Sequence, residues 1–165
     1  MQSDGSPFGR SRRRSMRKSA FWDASAVVPL CVTEAPTSAA TSHLNHFTPV
    51  VWWGTLVEVY GAICRLHREA AITEEGKMEA VARLEALNRT WREVPAGDQL
   101  RELATGLLDA HSLKAADSLQ LAASLIWCEE RPANRKFISS DQRLLRAARS
   151  VGFAVLDISG ASSLP

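Results

Sequence analysis

The chain has 165 residues, 45% of them hydrophobic and 23% charged, the balance of one ordinary globular domain. No apolar run approaches the roughly 20 residues that a bilayer-crossing helix needs, so no membrane helix is expected. The net charge of +2 conceals an asymmetry: Arg10, Arg12, Arg13, Arg14, Arg17 and Lys18 against Asp4 alone leave +5 on residues 1–22 and −3 on the remainder. A generally basic nucleic-acid-binding surface is therefore not expected on the globular part.

In chain order, residues 1–19 are rich in Ser, Gly and Arg with little to bury, and they read as a disordered basic tail or N-terminal extension. Three origins compete for them: an RNA-attracting arm, an upstream extension with Met16 as an alternative start, or, for residues 1–15, non-native sequence. No apolar stretch follows the basic residues, so they do not form a secretory signal. The domain is expected over 20–165. Residues 20–24 (AFWDA) read as a short strand ending at Asp23, and 24–31 as a short helix. Pro36 suits the first turn of a helix over 35–46. The β-branched and aromatic run 48–53 (TPVVWW) predicts a strand. Leu56, Tyr60, Ile63 and His67 recur at helical spacing within 54–69. Thr73 is a good N-cap for a helix over 74–90. A short strand over 91–95 is followed by helices over 97–110 and 112–130. Residues 136–140 (KFISS) predict a strand, Asp141 opens a helix to Val151 that Gly152 ends, and 153–157 (FAVLD) is the last strand. Strands alternating with helices imply an α/β fold with a central parallel sheet flanked by helices. The site in such sheets lies at the carboxyl ends of the strands.

Four acids stand where that rule directs attention. Asp23 and Asp141 sit at strand ends, and Glu58 and Asp117 lie near the starts of helices. Each has a plainer role. Asp23 and Asp141 are natural helix caps. Glu58 with Ala62, Arg65 and Glu69 makes a solvent stripe at helical spacing. Asp117, with Lys114, Ser118, Gln120 and Ser124, makes a narrow wet edge on an otherwise apolar helix. Two carboxylates about 4 Å apart repel by roughly 4 kcal/mol at an effective dielectric near 20. Four converging acids therefore need a cation or raised pKa values. Oxygen ligands without His or Cys point to Mg²⁺ or Mn²⁺, the usual equipment for hydrolysing a phosphodiester.

The ordered set WDASAVVPL, TLVEVYGAICR, HSLKAADSLQLAAS and FISSDQRLLRAARSVGFAVLD resembles the PIN-domain family, above all the VapC-type toxins of bacterial toxin–antitoxin pairs, over residues 20–157. The resemblance implies a single PIN-like domain and a metal-dependent endoribonuclease. Its acidic cluster falls on Asp23, Glu58, Asp117 and Asp141, as catalytic residues that bind Mg²⁺ directly or through water. The family's hydroxyl after the first acid falls on Ser25. Ser139 stands where the family usually has Thr, two residues before the fourth acid. The resemblance also implies an RNA substrate, a cognate antitoxin and a homodimer.

Arg65, Lys114 and Arg143 lie near the acids in sequence and are candidate phosphate contacts, Arg65 foremost. Trp52 and Trp53 suit packing better than base stacking, and His43 with His46 lacks a third metal ligand. No serine has the flanking glycines of a hydrolase nucleophile, and no glycine run cradles phosphate. Cys31, Cys64 and Cys128 are odd in number and widely spaced, and they read as small buried hydrophobes in a reducing, cytoplasmic setting. Two alternatives stay open: a PIN-like RNA-processing nuclease without an antitoxin, and a catalytically silent binding module.

Overall fold

The structure is a computed structural model that describes residues 18–32 and 37–160. The basic segment before Lys18 with Met16, the helix start expected at Pro36, and residues 161–165 lie outside the described residues. In order come β1 (Lys18–Trp22), α1 (Ala24–Cys31), α2 (Thr37–His46), β2 (Phe47–Trp52), α3 (Thr55–Arg68), α4 (Glu74–Asn88), β3 (Arg92–Val94), α5 (Asp98–Ala110), α6 (Ala115–Trp127), β4 (Lys136–Ser139), α7 (Gln142–Ser150) and β5 (Ala154–Asp157).

The strands form one five-stranded sheet in the order β3-β2-β1-β4-β5. Every pairing is parallel. The expected α/β architecture with a central parallel sheet is present. The pairing of β1 starts at Lys18 opposite Phe47, two residues before its apolar run begins at Ala20. Backbone pairing needs no apolar side chain, so composition alone does not mark that start.

Side chains alternate across the sheet with the period of two that strands impose. Phe21, Val50, Trp52 and Phe137 face a core shared with α5, α6 and α7. Ala20, Trp22, Val51 and Ile138 face the opposite core, with α1, α3 and α4. Phe21 and Phe137, both fully buried, stack at 5.4 Å between ring centroids across the β1–β4 pair. Burying each such ring contributes roughly 1.5–3 kcal/mol. These two cores hold both faces of β1, so the residue that follows it is fixed from both sides.

Caps end the helices where the sequence places them. The Thr73 hydroxyl accepts from the Gly76 N–H at 3.1 Å, and Gly152 leaves α7 at φ +108°. That φ is one that glycine adopts without strain. No helix among the described residues is long and apolar enough to cross a membrane. Cys31 and Cys128 are buried and Cys64 is half-buried, and all three are free thiols.

Candidate active site

Strand order reverses at β1: β2 and β3 continue to one side, β4 and β5 to the other. The crevice beyond the carboxyl ends of β1 and β4 is the topological switch point, where open α/β sheets bind ligands. Asp23 sits at its floor, directly after β1. Its backbone N–H donates to the Ile138 carbonyl at 3.2 Å, and its extended backbone starts α1 as N-cap. The capping role is real, since the carboxylate accepts from the Ser25 N–H at 3.2 Å. A cap is ordinarily wet, however, and Asp23 is only 5% exposed. Burial pushes its carboxyl up to about 7, against hydrogen bonds from Ser25 and Ser139 that pull it down.

Ser25 is the hub of the crevice. Its hydroxyl donates to Asp23 Oδ1 at 2.9 Å and accepts the Ser140 N–H at 2.9 Å. A hydroxyl has one proton to give. The Ser139 hydroxyl lies 3.2 Å from that of Ser25, and its one proton goes to Ser25 or to Asp23. Ser139 Oγ in turn accepts the Asp141 N–H at 2.9 Å. Pro29 within α1 has no N–H for the Ser25 carbonyl four residues back. The Ser140 hydroxyl approaches that carbonyl at 3.5 Å. The ends of β1 and β4 are thus tied together through Ser25. Ser25→Ala leaves the Ser140 N–H and one Asp23 oxygen without this partner, an expected loss of about 1–3 kcal/mol in denaturant-induced unfolding. A loss below about 0.5 kcal/mol would show that water replaces the hydroxyl.

On the other side of β1, Glu58 projects from the first turn of α3. It does not belong to a solvent stripe. The Trp52 indole N–H donates to it at 2.8 Å, and the Gln120 amide of α6 lies 3.3 Å from each carboxylate oxygen. Burial raises the Glu58 pKa, these two donors lower it, and the charge of Asp117 raises it again. Gly54 makes the Trp52 position possible, because a Cβ there would overlap the indole ring. Gly54→Ala is therefore expected to displace Trp52 and free Glu58. The check is a lowered melting temperature together with altered tryptophan fluorescence.

Asp117 lies in the first turn of α6, half-buried. Burial raises its pKa, and the charge of Asp141 raises it further. A backbone N–H of Lys114 and the charges of Lys114 and Arg143 oppose both. Asp141 is exposed and caps α7, its Oδ1 accepting the N–H groups of Arg143 and Leu144 at 2.8 and 2.9 Å. The remaining breaks in the apolar pattern of α6 are not a wet edge. Ser118, Gln120 and Ser124 are buried, and both serine hydroxyls donate to carbonyls three residues back.

Asp23, Ser25, Ser139 and Asp141 are thus joined by hydrogen bonds. Repulsion links Asp117 to Glu58 on one side and to Asp141 on the other. Among the described residues no three His, Cys, Asp or Glu side chains are close enough together to hold one ion. Arg65, two turns beyond Glu58 on α3, is exposed and makes no ion pair among the described residues, whereas Lys114 and Arg143 act on Asp117. Trp52 is packed in the core while Trp53 is 57% exposed. His67 lies 3.0 Å from Glu74. Sequence reasoning missed Trp52 and Gln120 as partners of Glu58. The available signal was a lone amide inside an apolar helix, which a buried carboxylate explains.

No family model and no curated protein matches the chain. Solved structures do match. A chain of a toxin–antitoxin complex from Klebsiella pneumoniae superposes with a TM-score of 0.60 at 15% identity, over 85% of this chain and 98% of its own length. FitAcB from Neisseria gonorrhoeae gives 0.58 at 14% identity, over 86% and 99%. PAE2754 from Pyrobaculum aerophilum gives 0.57 at 17% identity, over 87% and 92%. At these identities the likeness is one of fold.

Proposed function

We propose that the chain is a metal-dependent endoribonuclease that hydrolyses RNA phosphodiester bonds, and that it is the toxin of a toxin–antitoxin pair. The observation that carries the reading is Asp23: a buried carboxyl at the switch point, with Asp141 tied to it through Ser139 and Ser25. Asp117 and Glu58 continue the acidic line through mutual repulsion. An all-oxygen donor set of this kind fits a hard cation such as Mg²⁺ or Mn²⁺. Asp23, Glu58, Asp117 and Asp141 would hold it, directly or through water. When bound, the cation supplies charge that stabilises the transition state of phosphodiester hydrolysis. The chain's own part is positional. Ser25 and Ser139 orient Asp23, Trp52 and Gln120 orient Glu58, and Lys114 and Arg143 offset the charge of Asp117. Arg65 is a more distant candidate for the RNA backbone.

A toxin role draws support from the likeness to a chain of a toxin–antitoxin complex. An antitoxin and a second copy of the chain are the proposed protein partners. Trp53, Val57, Tyr60 and Met78, exposed on and beside α3 and α4, are apolar surface of the sort that partners cover. The proposed setting is the cytoplasm. One observation favours a second reading, a catalytically silent module: among the described residues no three acids stand close enough to share an ion.

Calorimetry separates the two. Millimolar Mg²⁺ or Mn²⁺ is expected to bind and to raise the melting temperature by mass action. Controls in EDTA should show neither effect. Absence of both binding and a melting shift at millimolar metal would favour the silent module.

A further inference from the structure

Beside the acids lies a cleft of opposite charge. It opens between the α5–α6 connection and α7, has a volume of about 330 Å³, and presents His111, Ser112, Arg143, Arg146 and Ser150 around Leu113 and Ala147, with no acidic side chain. We propose that this cleft is a subsite for backbone phosphates of single-stranded RNA, holding the strand where it leaves the acidic crevice.

The α7 arginines differ in what they face. Arg149 acts on Asp157 and Arg143 acts on Asp117. Arg146 faces the cleft, is exposed, and has no ion pair among the described residues. Arg143 therefore joins the cleft to the acids, and Arg146 continues the positive charge away from them. Arg143, Arg146 and Ser150 follow one face of α7. At about 1.5 Å per residue that face runs about 10 Å, the rise of about three stacked nucleotides in one strand. The Ser112 hydroxyl and the His111 ring add short polar groups on the opposite wall. Guanidinium groups match phosphate oxygens in planar, paired hydrogen bonds. Contacts of this kind to phosphate oxygens position the strand and carry no sequence information directly.

The inference rests on the nuclease reading, and it is tested apart from cleavage. Affinity of the full chain for a fluorescent single-stranded RNA oligonucleotide is measured by anisotropy in EDTA, over a series of salt concentrations. Any contribution of residues before Lys18 is common to all variants. Arg146→Ala is expected to weaken binding and to lower the salt slope by about 0.7, one released counterion on a single strand. Arg146→Glu should weaken it by about tenfold or more, while Arg146→Lys keeps the slope. Arg149→Ala, on the same helix but outside the cleft, should leave affinity and slope close to wild type. An unchanged slope in Arg146→Ala, or an equal loss in Arg149→Ala, would overturn the subsite. Retained cutting of RNA in those cases would leave the nuclease reading standing. Arg146-dependent binding by a chain that cuts no RNA with Mg²⁺ or Mn²⁺ would do the reverse.

Discussion

Asp117→Asn is expected to lower RNA cleavage by about a hundredfold or more, the scale seen when an electrostatic stabiliser is lost. Asn keeps the shape and one acceptor oxygen, so it can still take the Lys114 backbone N–H at the start of α6. What disappears is the charge. That charge is held between burial and Asp141 on one side and Lys114 and Arg143 on the other. Without metal, the variant should be as stable as the wild type or more stable, because Glu58 and Asp141 each lose a like-charged neighbour. Antitoxin binding should largely survive, and growth inhibition on expression should vanish. A merely capping Asp117 would give the opposite pair of results: wild-type cleavage with a small loss of stability.

Asp23→Asn should produce the largest change in pH behaviour. In the folded chain the Asp23 carboxyl titrates at about 7, above its ordinary value of 3.8. The folded state therefore holds this proton more tightly than the unfolded chain does. Its contribution to stability is fully present below pH 3.8 and is lost as pH rises through about 7. Over that window the metal-free wild type is expected to lose about 4 kcal/mol through this group, since each tenfold difference in proton affinity between the two states is worth about 1.4 kcal/mol. The Asn variant has no such titration, so the wild-type decline should be missing from its urea midpoints between about pH 4 and 8. Both Asp23 oxygens accept from Ser25, and an amide offers only one acceptor. The variant should therefore start about 1–2 kcal/mol lower at about pH 4, cross the wild type within the window and stand about 2–3 kcal/mol above it once the wild-type loss is complete. Parallel curves for the two proteins would show that Asp23 is already solvated. Cleavage by the Asn variant should fall by at least as much as with Asp117→Asn.

The fold was legible because every strand but β3 (Arg92–Val94) holds a short apolar run, and most helices carry a cap or an apolar stripe. Thr73, Asp141 and Gly152 act where their chemistry places them. The boundaries that shifted are those without such a signal. The pairing of β1 begins in Lys18 and Ser19, which no apolar pattern marks. The segment between His111 and Lys114 leaves the helix without a glycine or proline, so α6 starts at Ala115 and not at 112. At the site, strand-end position marks Asp23 and Asp141, apolar neighbours mark Glu58 and Asp117, and the family resemblance joins the four. None of these signals reveals their partners. Gln120 sits 62 residues from Glu58, and nothing local to either shows that they meet. Arg65 is near Glu58 in sequence, two helical turns along α3. Arg143 is distant from Asp117 in sequence and near it electrostatically, because α6 and α7 pack side by side.

The most direct measurement is sequencing of RNA ends after incubation with purified protein in Mg²⁺ or Mn²⁺, in EDTA, and with Asp117→Asn in place of the wild type. Discrete new ends should appear with the wild type and metal, and should disappear both in EDTA and with the variant. Equal ends in EDTA, or equal ends with Asp117→Asn, would contradict a metal-dependent site built on these acids.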